Sequence, residues 1–300
     1  MSIDWHSVIA AFGGGVLGSA AGAVPVFAFT GVLVLIGVAA VAGGGDARLL
    51  SDVAFGPFFG PHVSFAGAVA AAAYAGRKGL IPTGRDVGKA LMGLNDTVTL
   101  LVGGVFGVAG CILNDVIAGW GGAKWTDTIA LTVVLSGFAA RLLFGKTSVI
   151  GTVAPGRRRF QPDEVANWLP WQQKSSQLLV IGLGVSLVSA RIAGILGAQK
   201  GGDVAGFGLA AAFLVLLLMG NQIPVTHHIA LTAAVASVLG AGLLTCAVVG
   251  TFAAFIGEGF SRAVHIHGDT HIDPPAGAIA ITITILRIAS ANGVFGHQFP

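Results

Sequence analysis

The chain has 300 residues, 54% of them hydrophobic and only 10% charged, with a formal net charge of +3. A soluble domain carries roughly 25% charged residues, so a water-facing surface is excluded for much of this chain and lipid must solvate it. The basic residues sit in loops, where membrane topology explains them, and nothing points to nucleic acid.

The 47 glycines point to closely packed transmembrane helices, because small residues let backbones approach where no hydrophobic drive acts between helices. A β-barrel would need alternating apolar and polar residues, but the runs from Val32 to Ala42 and from Leu209 to Met219 are continuously apolar. Cys111 and Cys246 lie in apolar runs, which argues against a structural disulfide. The start, Met1-Ser2-Ile3-Asp4, has no basic region and reads as the lead-in to a first helix, not a cleaved signal.

In chain order, apolar segments predict helices near 7–23, 25–43, 62–76, 96–114 and 127–145, then near 175–197, 204–220, 226–240, 243–262 and 274–291. A Gly/Pro-rich stretch, 46–61, precedes the third. A polar linker, 146–174, separates a first five-helix unit (1–145) from a second (175–300). The two units share local sequence. Gly13-Gly14-Gly15-Val16 matches Gly182-Leu183-Gly184-Val185, and the nine residues from His62 match those from His228. In the register that aligns Gly104-Val105-Phe106 with Gly250-Thr251-Phe252, Asp127 falls on Asp273 and Arg141 on Arg287. An odd number of spans per unit would insert the second copy upside down, the inverted-repeat plan of many transporters. The expected fold is therefore all-α and polytopic, with about ten transmembrane helices in two inverted repeats.

Two basic loops test the topology. Arg77, Lys78, Arg85 and Lys89 follow the third helix, and Lys146, Arg157, Arg158, Arg159 and Lys174 lie in the linker. Ten spans put both loops on one side, the cytoplasmic side by the positive-inside rule. The chain is thus expected to be integral to the plasma membrane with both termini outside. Trp168 and Trp171, beside the Arg run, suggest a segment resting at the headgroups.

Candidate functional residues fall into three groups. The third and eighth helices are too short to cross the core, and each follows a Pro-containing stretch, Phe55–His62 and Gly220–His228. A helix broken at membrane depth presents free N–H groups to a solute, which nominates His62, Asn221, Gln222, Thr226, His227 and His228 as lining a path. Arg141 and Arg287 join them as repeated charges suited to an anion, while Asp127 and Asp273 suit helix N-caps. In His265-Ile266-His267-Gly268-Asp269-Thr270-His271-Ile272-Asp273 potential ligands occupy alternate positions, and an extended strand would put them on one face. His265, His267, Asp269 and His271 are thus candidates for a divalent transition metal.

No phosphate-binding loop, nucleophile elbow or zinc-protease motif occurs. The function expected is translocation of a small polar solute or ion between the repeats. The rivals are a metal-dependent membrane enzyme and a structural subunit of a larger complex. Gly/Ala-rich outer faces permit a homo-oligomer. The five-plus-five plan and Gly93-Leu94-Asn95 at the start of an apolar helix resemble urea-transporter-like channels in architecture, a likeness that carries over neither residues nor substrate.

Overall fold

In a computed structural model, residues 4–163 and 168–295 are described. Eleven α-helices form: α1 (Trp5–Ala21), α2 (Ala23–Ala42), α3 (Ser64–Arg77), α4 (Thr97–Gly119), α5 (Thr128–Phe144), α6 (Ser175–Leu196), α7 (Gly202–Ala212), α8 (Leu214–Leu218), α9 (His227–Val238), α10 (Leu243–Phe260) and α11 (Pro274–Ala291). No strand forms among the described residues beyond one isolated bridge, Gly84 to Thr270. Among the described residues five helices are long and apolar enough to cross a membrane: α2, α4, α6, α10 with its continuation to His265, and α11. Helices α5, α7–α8 and α9 are apolar but shorter.

Two features depart from the sequence reading. The expected 204–220 helix is broken at Phe213 into α7 and α8. The stretch after α2 is not wholly irregular either. Leu49–Ala54 makes a π-helical turn, closed by Phe55 N–H donating to the Leu50 carbonyl, and Leu50 packs on Gly37 of α2.

Glycine contacts set the close packing. In the first half α1 packs on α3 and α4, and α3 on α4 and α5. Gly15 of α1 lies against Gly103 of α4, and Gly67 of α3 lies on both. In the second half α6 packs on α9 and α10, and α9 on α10 and α11. There Gly182 meets Thr251, and Gly250 meets Ser186. Between the halves, α2 pairs with α7 and α5 with α11. Both pairs run antiparallel. Gly201 sits on Val38 while Gly31 sits on Ala212, and Thr126 reaches Ala280 while Gly137 lies near Ile272.

The half-length helices α3 (14 residues) and α9 (12 residues), about 21 and 18 Å long at 1.5 Å per residue, start inside the bundle. Just before α3, the Phe59 carbonyl accepts from Thr30 in the interior of α2 (2.9 Å), and the His62 carbonyl packs on Gly110 in the interior of α4. At the start of α9, Ser189 in the interior of α6 donates to the Ala230 carbonyl (2.7 Å), and the Ile229 carbonyl packs on Gly250.

A Cβ on Gly110 would overlap the His62 carbonyl oxygen, whereas one on Gly13 would meet nothing within 4 Å. Gly110→Val is therefore expected to cost on the order of 2–3 kcal/mol and to lower the thermal midpoint in detergent, while Gly13→Val leaves it unchanged.

Candidate functional site

A cavity of about 930 Å³ lies between the two halves. Its wall is built from corresponding helix faces. Val24 and Phe27 come from α2, and Val204 and Phe207 come from α7 at the same relative positions. Pro61 and Phe65, at the start of α3, stand opposite His227 and Leu231 of α9, again with one spacing. Asp127, Ile129, Ala130 and Val133 of α5 correspond one for one to Asp273, Pro275, Ala276 and Ile279 of α11. The last two spacings are those that align His62 with His228, and Asp127 with Asp273, in the sequence.

The N-terminal turns of α2, α5, α7, α9 and α11 and the lead-in to α3 thus all line one cavity. Two are capped by carboxylates. Asp127 accepts from Ala130 N–H and Asp273 from Ala276 N–H, each at 2.7 Å. The other carboxylate oxygen of Asp273 lies 3.2 Å from His271 Nε2. The His271 ring meets the His265 ring at 4.7 Å between centroids, and His265 Nδ1 lies 3.0 Å from the Ile272 carbonyl. Helices α3 and α9 have no side-chain cap. His227 wedges edge-on between Phe27 (4.8 Å) and Phe207 (5.7 Å). Arg85 and Asp86, from the loop after α3, complete the polar wall, and Trp168 and Leu169 of the central linker also face the cavity.

Of the eight residues expected to line a path, His227 alone lies on this wall. His62 is buried, but its ring turns onto Gly60. His228 is buried between Gly257 and Trp168. Thr226 is buried, whereas Asn221 and Gln222 are exposed, and the Asn221 amide closes the end of α8 by donating to the Leu216 carbonyl. Arg141 is fully buried and engages four of its five N–H donors. It donates to the carbonyls of Val149, Val264 and Thr270 and to the Thr270 hydroxyl. It ties the 264–270 segment down instead of facing a solute. Arg287 is half-buried on α11 and off the cavity wall.

The proposed metal face does not form, because 261–273 is not an extended strand. Ser261–His265 is a π-helical turn continuing α10, and the chain turns again at Ile266–His267. Only His265 and His271 consequently stay together, while His267 and Asp269 go to other partners. His265 and His271 face the cavity, and His267 Nε2 sits 2.7 Å from the Arg159 carbonyl. Asp269 accepts from Lys146 N–H (2.7 Å) and the Thr147 hydroxyl (2.8 Å). Burial pushes the Asp269 carboxyl upward, but these donors outweigh it and hold the group below its usual range. Among the described residues no three His, Cys, Asp or Glu side chains gather as a metal site.

The linker tryptophans are partly buried against the second half. Trp171 donates to the Ile223 carbonyl (2.9 Å), and the Gln172 amide clamps Val225 through both its N–H and its carbonyl. Positions 164–167 of that expected interfacial segment lie outside the described residues.

The same sequence profile matches this chain twice, over residues 1–164 and 156–299. The chain belongs to DUF7973, a family of unknown function. No curated protein and no solved structure matches it. Within this DUF7973 chain the sequence-level search missed Phe27, Phe65 and Phe207, since a phenylalanine on an apolar helix carries no polar signal. The shared Val-x-x-Phe of α2 and α7 was the clue that could have found two of them.

Arg141→Met leaves buried carbonyls without donors. It is expected to destabilise the protein by at least about 3 kcal/mol, read as a large fall in the detergent unfolding midpoint, whereas Arg287→Met has a smaller effect.

Proposed function

We propose that this protein is a membrane transporter or channel that passes a small solute through the cavity between two inverted five-helix repeats. The observation that carries this reading is the wall of the cavity, where corresponding faces of α2 and α7, α3 and α9, and α5 and α11 meet. Transporters of inverted-repeat design hold their solute at the repeat interface, near the ends of discontinuous helices. The antiparallel pairing of α2 with α7 and of α5 with α11 supports inversion. A twofold axis in the membrane plane makes corresponding helices run in opposite directions, whereas an axis along the normal would make them parallel. The double match of one family profile supports duplication. Irregular backbone before α3 and α9 is tolerable at depth because it is buried in protein or lines a wet cavity.

Ala130 and Ala276 occupy corresponding positions on the wall, so a large side chain at either should plug the cavity. Purified protein in sealed proteoliposomes is expected to take up at least one member of a panel of neutral, anionic and cationic small solutes faster than protein-free vesicles. Ala130→Trp and Ala276→Trp should each abolish that uptake while the protein remains folded. No uptake across the panel, or uptake indifferent to both plugs, would sink the proposal.

A further inference from the structure

The cavity wall says which kind of solute it suits. Its formal charges are Arg85, Asp86, Asp127 and Asp273. Three carboxylates face one guanidinium, and the N-terminal turns of several helices along the wall lend positive partial charge against that excess. The carboxylates of Asp127 and Asp273 are, moreover, already engaged by helix amides and, for Asp273, by His271. At the Asp127 and Asp273 caps a charged solute would therefore find no free counter-charge.

What the wall lacks is a hydrogen-bond partner. His227 is only 6% exposed, yet neither ring nitrogen has a hydrogen-bond partner among the described residues, and Nδ1 is buried without one. It opens α9, which has no side-chain cap, and the backbone amides of residues 227–229 have no acceptor among the described residues. A buried donor left unsatisfied costs about 1–3 kcal/mol, so the site is arranged to receive an acceptor. The surroundings are mainly apolar, with Phe27, Phe65, Phe207, Leu231 and Ile279 on the wall beside the capped Asp273 and the His228 ring packed behind.

We propose that the cavity binds an uncharged organic solute with an apolar body and a hydrogen-bond-accepting oxygen, the oxygen meeting His227 and the first amides of α9, and the body lying against Phe27, Phe65 and Phe207. This inference rests on the translocation reading for its biological meaning, but not for its test.

Three probes of one shape separate the classes: benzamide, benzoate and benzylammonium. Binding to purified full-length protein is measured by calorimetry and by the fluorescence change of Trp168, which faces the cavity. Benzamide is expected to bind at least about tenfold more tightly than either ion, an energy equivalent to one hydrogen bond. His227→Phe keeps the ring packing on Phe27 and Phe207 while removing the hydrogen bond. It should weaken benzamide about tenfold without lowering the unfolding midpoint. Tighter binding of either ion, no binding of any probe, or unchanged benzamide binding in folded His227→Phe overturns the inference. Uptake that is blocked by the Trp plugs, without benzamide binding, would leave translocation standing and the solute class wrong. Benzamide binding without any uptake would do the reverse.

Discussion

Backbone-to-backbone contact at glycine is what the rest of this molecule depends on. Gly15, Gly67, Gly103 and Gly110 let α1, α3 and α4 approach until carbonyls rest where side chains would otherwise stand. In the other half Gly250 takes the Ile229 carbonyl in the same way, while Ser186, Ser189 and Thr251 fill the space at Gly250, Gly206 and Gly182. Between membrane-spanning helices, packing of this kind takes the place of the hydrophobic drive. It also has a directional consequence. Each trio grips its half-length helix along the side, so α3 and α9 can begin at the bundle's mid-height without a full span beneath them. The cavity is the space left ahead of those two helices.

Electrostatics then divides the N-termini of α3, α5, α9 and α11 into two kinds. The full caps on α5 and α11 neutralise their own helices, and the Asp273–His271 contact adds a second restraint on one side. The uncapped α3 and α9 leave donors in an apolar setting. At α3 part of the demand is met locally, because Ser64 and Ala66 amides reach the Gly60 and Pro61 carbonyls. At α9 it is not, and His227 stands beside the open end. The two halves are thus alike in frame and different in chemistry. Pro61 and Phe65 face where His227 and Leu231 face, so a solute would meet an apolar lip on one side and a polar one on the other.

The helices were legible in the sequence as long apolar runs, and Asp127 and Asp273 marked helix starts, as their bonds to Ala130 and Ala276 bear out. The shortness of α3 and α9 was legible from the prolines before them. The site was much less so. Counting polar residues drew attention to His62, His228, Asn221 and Arg141, which the fold uses to fill gaps, close a helix end or tie down a loop. Alternation suggested a strand at 265–273, but α10 overruns its end as a π-helical turn and parts His267 and Asp269 from the His265–His271–Asp273 contact. A cavity wall made mainly of Val, Phe, Leu and Ala has no compositional signature. It becomes visible only when corresponding positions of two halves are laid over one another in space.

The central claim is that the second half enters the membrane inverted relative to the first. It is tested most directly by labelling from one side. Single cysteines would replace Lys89, Lys124, Arg158 or Lys200, all exposed positions, in a background with Cys111 and Cys246 changed to Ala. An impermeant maleimide applied to right-side-out vesicles is expected to label 124 and 200 but neither 89 nor 158. Labelling of 124 or 200 only after the membrane is opened, alongside 89 and 158, would contradict the inverted arrangement and with it the cavity as a path across the bilayer.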